Sequence, residues 1–501
     1  MANKQDSNLT GLRFAEETAL KTLPGTPIWY PLEPNSYSDF GGQLKTVARN
    51  PINPSRQRKK GVISDLDAAG GFNQDLTFNN TTRLLQGFFF ADIREKMSTA
   101  KMNGITVLLT SVTSSTKTIA AASGLLGFKA GDLLYLEGFT NSGNNGVKTA
   151  ASNSTATAIV TTEALVDEAS PPTAAKVTVV GKQLGLATSA ITMNGSLARL
   201  TDTATDFTTL GLVAGEWVYL GGAAASTKFV NNTGWARVDT ITAGYLEFGK
   251  TSWTPVAEAG TGLSIQLFLG SVLKNESDPT LIKRRTYQVE RALGNDGAGT
   301  MSEYLVGAVP NELTVNIPQA EKVNVDMSFV AVDNEQRNGT LGLKAGTRPT
   351  LTAQAALNTS SDFARIKLAS VAADSAPAPL FAYATEMTLT LNNNVTPNKA
   401  VGVLGAFDTS AGTFEVGGKM TAYFATVDAV QAVRNNSDIT LDLVMTKTNK
   451  AIVIDVPLLS LGDGRLNVEM DQPITLPLEN NAAESSFGHT LLITQFPYVP
   501  V

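Results

Sequence analysis

The stretch Ala69-Gly70-Gly71-Phe72-Asn73-Gln74-Asp75-Leu76-Thr77-Phe78-Asn79-Asn80-Thr81-Thr82-Arg83-Leu84-Leu85 reads as a strand, a cap and a helix in direct succession. Asn79 or Asn80 would cap the start, and Leu85, Phe88, Phe89 and Ile93 recur on one face. That spacing predicts a helix over Thr81 to Lys96. Near the other end, Val416-Gly417-Gly418-Lys419-Met420-Thr421-Ala422-Tyr423 precedes a second helical spacing of Val427, Val430 and Val433. Thr426 is its expected cap and Asn435 its stop. Upstream, Asn50–Pro54 and Asn392–Pro397 occupy corresponding places after a strand. One strand-and-helix unit is therefore expected twice.

Elsewhere along the chain strand signals dominate. Met387–Leu391, Ile439–Met445 and Ile452–Leu459 are short, rich in Val, Ile, Leu and Thr, and mostly bounded by Asn, Gly, Ser or Asp. Their density predicts sandwiches or barrels rather than alternating βαβ units. A second repeat is ungapped: Gly127-Phe-Lys-Ala-Gly-Asp-Leu-Leu-Tyr-Leu-Glu-Gly138 matches Gly211-Leu-Val-Ala-Gly-Glu-Trp-Val-Tyr-Leu-Gly-Gly222 at a constant offset of 84 residues (211 − 127). Tyr135 and Tyr219 then share one pleat position, and Asn144-Asn145-Gly146 loosely matches Asn231-Asn232-Thr233-Gly234. The expected organisation is a mainly β chain. A first module covers 1–99 and resumes at 271–338, tandem small β modules are inserted at 100–185 and 186–270, a connector spans 339–379, and a second module runs over 380–501.

Bulk properties exclude more than they assign. The 501 residues carry 39 Lys+Arg against 45 Asp+Glu, a formal charge of −6, so no strong global field draws nucleic acid. Charged residues are 17% of the chain, below the roughly 25% of ordinary domains, which leaves weakly polar surface suited to subunit contacts. There is no Cys, hence no disulfide and no thiolate chemistry. The first residues lack the apolar stretch of a signal peptide, and no run reaches the roughly 18–20 apolar residues of a membrane helix, so cytoplasmic synthesis and no membrane insertion are expected.

Catalytic side chains are scarce. The one His, His489, is read as a strand residue near the C-terminus, and with no Cys a zinc site is not expected. No Gly-x-Ser-x-Gly elbow, Walker A sequence or full EF-hand loop is present. The carboxylates Asp65/Asp67, Asp333/Glu335 and Asp463 are read as turn or rim residues rather than acid/base pairs. No catalytic, cofactor-binding or metal-ligating residue is nominated, and no cofactor is expected. Two basic clusters remain: Arg56, Arg58, Lys59 and Lys60, and Lys283, Arg284 and Arg285. They lack interleaved aromatics, which leaves a solvated face or a protein contact ahead of nucleic acid.

The order Ser55-Arg56-Gln57, a strand, Gly70-Gly71, a strand, and Thr81-Thr82-Arg83-Leu84-Leu85 resembles the tail tube proteins of siphophages, bacteriophages with long non-contractile tails. Gly11-Leu-Arg-Phe-Ala-Glu-Glu-Thr18 and Gly25-Thr-Pro27 resemble their N-terminal arm. The resemblance covers the two end modules and implies β-sandwiches with a flanking helix, whose sheets join into a barrel around a lumen. It implies self-assembly into sixfold rings, or pseudo-sixfold trimers if one chain carries two modules, stacked as a filament. Tape-measure, tail terminator and distal tail proteins are the implied partners, with non-specific passage of double-stranded DNA through a wall that does not grip phosphate. The basic residues become candidate subunit or ring contacts, and the inserted modules decorate the exterior. Other readings are a decoration or minor tail protein, an Ig-like-module adhesin binding glycan or protein, and an enzyme.

Overall fold

The computed structural model describes residues 5–52, 54–78, 81–295, 297, 299–381 and 383–501. Asn79 and Asn80, expected as caps, lie outside them. The fold is mainly β with two α-helices among the described residues, and no helix there is long and apolar enough to cross a membrane.

Two halves repeat one strand plan. The first contains β1 (Gly11–Glu16), β2 (Pro34–Arg49), β3 (Lys59–Asp75), α1 (Thr81–Phe89), β4 (Tyr287–Asn295), β5 (Thr300–Ile317), β6 (Asn324–Ala331) and β7 (Asp333–Arg337). The second contains β8 (Phe363–Ser370), β9 (Ala384–Asn392), β10 (Glu415–Tyr423), α2 (Asp428–Arg434), β11 (Ile439–Lys447), β12 (Lys450–Asp463), β13 (Thr475–Ala482) and β14 (Leu492–Phe496). Hydrogen bonding orders the first as β1-β4-β5-β6-β3-β2 and the second as β8-β11-β12-β13-β10-β9. β7 and β14 pair with the first halves of β5 and β12. Each of those long strands crosses between the two layers of its sandwich, and each has a proline at an irregularity of its ladder, Pro310 or Pro457, where no N–H is lost from the ladder.

Alternation explains the layers. In β9, Met387, Leu389 and Leu391 are buried while Glu386, Thr388, Thr390 and Asn392 are not, so one face meets the core. α1 closes the first sandwich: Phe88 is fully buried and sits edge-on to Phe329, centroids 5.5 Å apart. The helix ends at Phe89, short of the expected Lys96, because Phe90 turns left-handed (φ 49°) and Arg94 enters a bridge with Val272. Gln86 caps that exit by accepting the Ile93 amide at 3.0 Å. In α2 the buried residues are Ala429 and Ala432; Val427 precedes the helix and is exposed.

The double glycine repeats with a slip of one residue. Gly70 pairs with Phe329 and Gly418 with Asn480, both partners facing the core, so Gly70 corresponds to Gly418 rather than Gly417. Gly-Gly has no side chain to show which face it takes, whereas Phe72 and Met420, both buried, do. The stretch 339–379, expected as a connector, contains strand β8. The charges of Arg365 and Lys367 broke its apolar run; Arg365 is used internally on Asp442.

Most of the region between α1 and β4 forms a ten-stranded and a three-stranded sheet, and its last strand, Ser271–Lys274, pairs with β14. The equivalent strands Lys176–Gln183 and Gln266–Leu269 of the tandem copies pair with each other antiparallel. A second likeness escaped sequence inspection. Glu168 accepts the amides of Thr140 and Asn141 and the side chain of Asn144; Glu258 accepts those of Val230, Asn231 and Asn232. Val166-Asp-Glu-Ala and Val256-Ala-Glu-Ala were its sequence signal. Replacing Glu168 by Ala orphans these donors and is expected to cost about 1–3 kcal/mol, read as a lower urea midpoint.

This region packs on the outer layer of the second half. Trp217, Trp235 and Phe268 meet Val444, Val453 and Phe496. Arg237 crosses the junction to Asp455 (3.3 Å) and Thr440 (2.9 Å), all buried.

Candidate assembly surface

The two halves join edge to edge inside one chain. Glu312 to Ile317 of β5 pair antiparallel with Asn392 to Met387 of β9. The result is one continuous run of eight strands, β2-β3-β6-β5-β9-β10-β13-β12. Its two ends are the outer edge of β2 and the far end of β12, and among the described residues neither carries another strand. These are the same two strand types that pair at the internal seam, since β2 corresponds to β9 and β12 to β5.

One face of this run covers the core; the other is mainly polar. Asn73 donates to Asn324 and Asp326 at 2.8 Å each, and Asn316 to the same two at 2.9 and 2.6 Å. Thr314 and Thr390 share a hydroxyl hydrogen bond of 3.0 Å across the seam. The strands present six carboxylates on this face, Asp75, Glu312, Asp326, Glu386, Glu415 and Glu479, against two lysines: Lys419 pairs with Glu479 at 3.0 Å, and Lys322, just before β6, pairs with Asp75 at 2.8 Å. A groove lined by Thr388, Thr390, Asn392, Glu415 and Asn481 runs along it. Such cross-strand polar pairs fix register while leaving the surface hydrated and negative.

A family model for phage tail tube proteins matches residues 7–482. The chain belongs to that family. No curated protein matches the sequence. As a tail tube protein it is a structural component of the virion tail that self-assembles into a tube.

In this tail tube protein β2 and β3 extend beyond the sheet as a long hairpin arm. Arg56, Arg58, Lys59 and Lys60 are exposed at its tip and carry no ion pair among the described residues. Leu44, Val47, Ile52, Val62 and Ile63 along the arm are also exposed. The second basic cluster is largely used inside the subunit. Arg285 is buried, bonded to the Ala91 carbonyl (2.9 Å) and paired with Glu16 and Asp92. Lys283 pairs with Asp92 at 3.3 Å and Arg284 with Asp408 at 3.1 Å, both near the surface.

The carboxylate groups are structural. Lys399, from the β9–β10 connection, binds Asp65 and Asp67 at the arm's base, and Lys45 also binds Asp67. The Lys399 hydrogen bond holds both carboxyls below their usual range, and the lysine is raised in turn. Asp333 pairs with Lys21, and Glu335 with Arg337 and Lys344. Asp463 ends β12 in a left-handed turn (φ 61°) at the open edge. Among the described residues no His/Asp/Glu group is placed to hold a metal.

His489 is not in a strand but in the turn before β14, fully buried beside Phe487. Burial holds its imidazole neutral, with its pKa lowered to about 3. Sequence reading missed the seam itself. Its signal was the alternation Glu386-Met-Thr-Leu-Thr-Leu-Asn392, a strand polar on one face with no interruption for an edge.

Proposed function

We propose that three chains close into a ring by repeating the internal seam between subunits, β2 of one chain pairing with the end of β12 of the next. The observation that carries this is the eight-stranded run ending in one edge of each seam type. Closure satisfies every exposed ladder group, which a free monomer leaves open. Three chains supply twenty-four strands. At about 4.8 Å spacing and about 40° tilt these close at a backbone diameter of about 48 Å, whereas eight strands alone would close at about 16 Å and fill with side chains.

In this reading the polar face lines the lumen, the two halves act as two tail-tube modules, and the region between α1 and β4 decorates the outside. Rings stack into a tube that houses the tape-measure protein, is finished by terminator and distal tail proteins, and conducts double-stranded DNA. Its subunits are made in the host cytoplasm. The six carboxylates support passage without grip, since phosphates gain no counterion-release contacts from an anionic wall. The arm, with Arg56, Arg58, Lys59 and Lys60, contacts the neighbouring ring.

Negative-stain class averages of the assembled protein test the ring. The expected image is a hollow ring whose inner wall repeats six times and whose rim carries three protrusions. Six protrusions would indicate a true hexamer, and persistent monomers would sink the reading.

A further inference from the structure

The strands of the eight-stranded run alternate in direction, so its two ends are distinct. At one end stands the arm. At the other lie the β5–β6 turn, the start of β9, the end of β10 and the β12–β13 loop. The two halves differ sharply at this second end. In the first half the β5–β6 turn is capped: Leu357 accepts the Val323 amide, and Thr359 donates to Glu321. In the second half the corresponding loop, 464–474, is longer; Asn467 and Thr475 close its base, and 468–474 beyond them are exposed. Tyr423 donates to Tyr383 and Phe424 to Ile474, which ties the start of β9, the end of β10 and the end of this loop together. Tyr383, Val427, Val468 and Met470 are exposed there, Met470 at 88%. Glu469 and Asp471 flank Met470 and are exposed as well, with Arg465 the one cation of the loop.

The arms differ in the complementary sense. Among the described residues the first half alone extends a long hairpin beyond its sheet; the β9–β10 connection is folded back and tied to Asp65 and Asp67 through Lys399. From Arg49 to Lys60 the arm carries five cations and no acid, with Ile52 fully exposed. An apolar hairpin with a basic tip thus has a counterpart on the same molecule, an apolar loop with acidic flanks, at the opposite end. One chain cannot bring the two together, but stacked copies can.

We propose that Val468, Glu469, Met470 and Asp471 form the socket that receives the β2–β3 arm of a second copy of this chain in the adjacent ring. This rests on the ring reading above and assigns its stacking contact. Each chain contributes one arm and one socket, so a trimeric ring makes three contacts to the next, each heterologous and open-ended. The first half builds the arm and the second half the socket. Exposed apolar area supplies the contact energy, and the charges set orientation and salt sensitivity.

The chain has no Cys, so introduced cysteines report without background. Full-length protein carrying Arg58→Cys and Met470→Cys is assembled and treated with a short bis-maleimide. The expected result is a ladder at multiples of the 52.8 kDa chain, with each single variant remaining monomeric. A ladder from Arg58→Cys with Gln319→Cys, in the capped turn, and none with Met470→Cys would overturn the assignment. In parallel, Glu469→Lys with Asp471→Lys is expected to leave rings but abolish tubes, and Arg58→Glu with Lys59→Glu in the same chain to restore them. Tubes that form normally in the lysine variant would sink the socket alone. Absence of rings from the unmodified protein would overturn the ring reading and this contact with it.

Discussion

Replacing Arg237 by Met is expected to destabilise the chain by about 3–5 kcal/mol at pH 8, and by much less near pH 5. Arg237 reaches from the inserted region into the second half, where it is the cation facing Asp455, a carboxylate with no solvent exposure. Burial raises the Asp455 carboxyl to about 6 even with Arg237 in place, and the nearby Asp442 adds to the rise. Removing the guanidinium leaves that charge buried without its counterion, so its pKa climbs further. The sign follows from linkage. A carboxyl raised above its unfolded value favours folding below the unfolded value near 3.9, and this contribution is lost as pH rises through the folded value. The difference between variant and parent should therefore widen from about pH 5 upward. Denaturant midpoints of the two across that range measure it. A double replacement, Arg237→Met with Asp455→Leu, removes both charges and should recover most of the loss. A pH-independent difference, or a double variant no better than the single, would mean that the pair is not the cause.

The same junction shows what the sequence could and could not disclose. The tandem copies were legible because Tyr135 and Tyr219 and their turns repeat without a gap. Nothing in Arg237 or Asp455 announced a contact, because they are 218 positions apart and each reads as an ordinary polar residue in a strand. The two-halved plan was legible through the strand–cap–helix order. Its register was not, since glycines carry no facing information and only the buried Phe72 and Met420 fix it. Strand β8 was hidden because Arg365 and Lys367 interrupt its apolar pattern, and the partner that Arg365 meets, Asp442, is supplied only by the fold. The basic clusters looked alike in sequence and differ in space: Arg58 is exposed near the arm's tip, while Arg285 is enclosed by the Ala91 carbonyl, Glu16 and Asp92. Local charge patterns do not encode burial, and the difference between a contact surface and an internal anchor is a matter of burial.

Reversing charge on the polar face is expected to leave assembly intact and to slow DNA transit by orders of magnitude at low salt. Glu312 and Glu415 are the suitable positions. Both are exposed, neither supports the core, and the hydrogen bond to the Glu312 carboxylate, from Asn392 at 3.5 Å, is long. Glu312→Lys with Glu415→Lys in a trimeric ring places six cations on each turn of wall, two from each of three chains. Six phosphate contacts make binding steep in salt, with roughly a thousandfold change between about 50 and 200 mM. A tube of many rings multiplies the sites at which a moving duplex is held. The effect should fade as salt rises, because the same counterion release that creates the grip is then no longer favourable. Virions carrying the variant should show normal tails by microscopy, and triggered DNA release should be slow in dilute buffer and near normal in concentrated salt. Glutamine at the same positions removes the negative charge without adding a cation and should change release little. If the lysine variant releases DNA at the parental rate in dilute buffer, then the polar face is not the wall along which DNA moves. The acidic run from Asp75 to Glu479 would then need another explanation, such as contact between subunits.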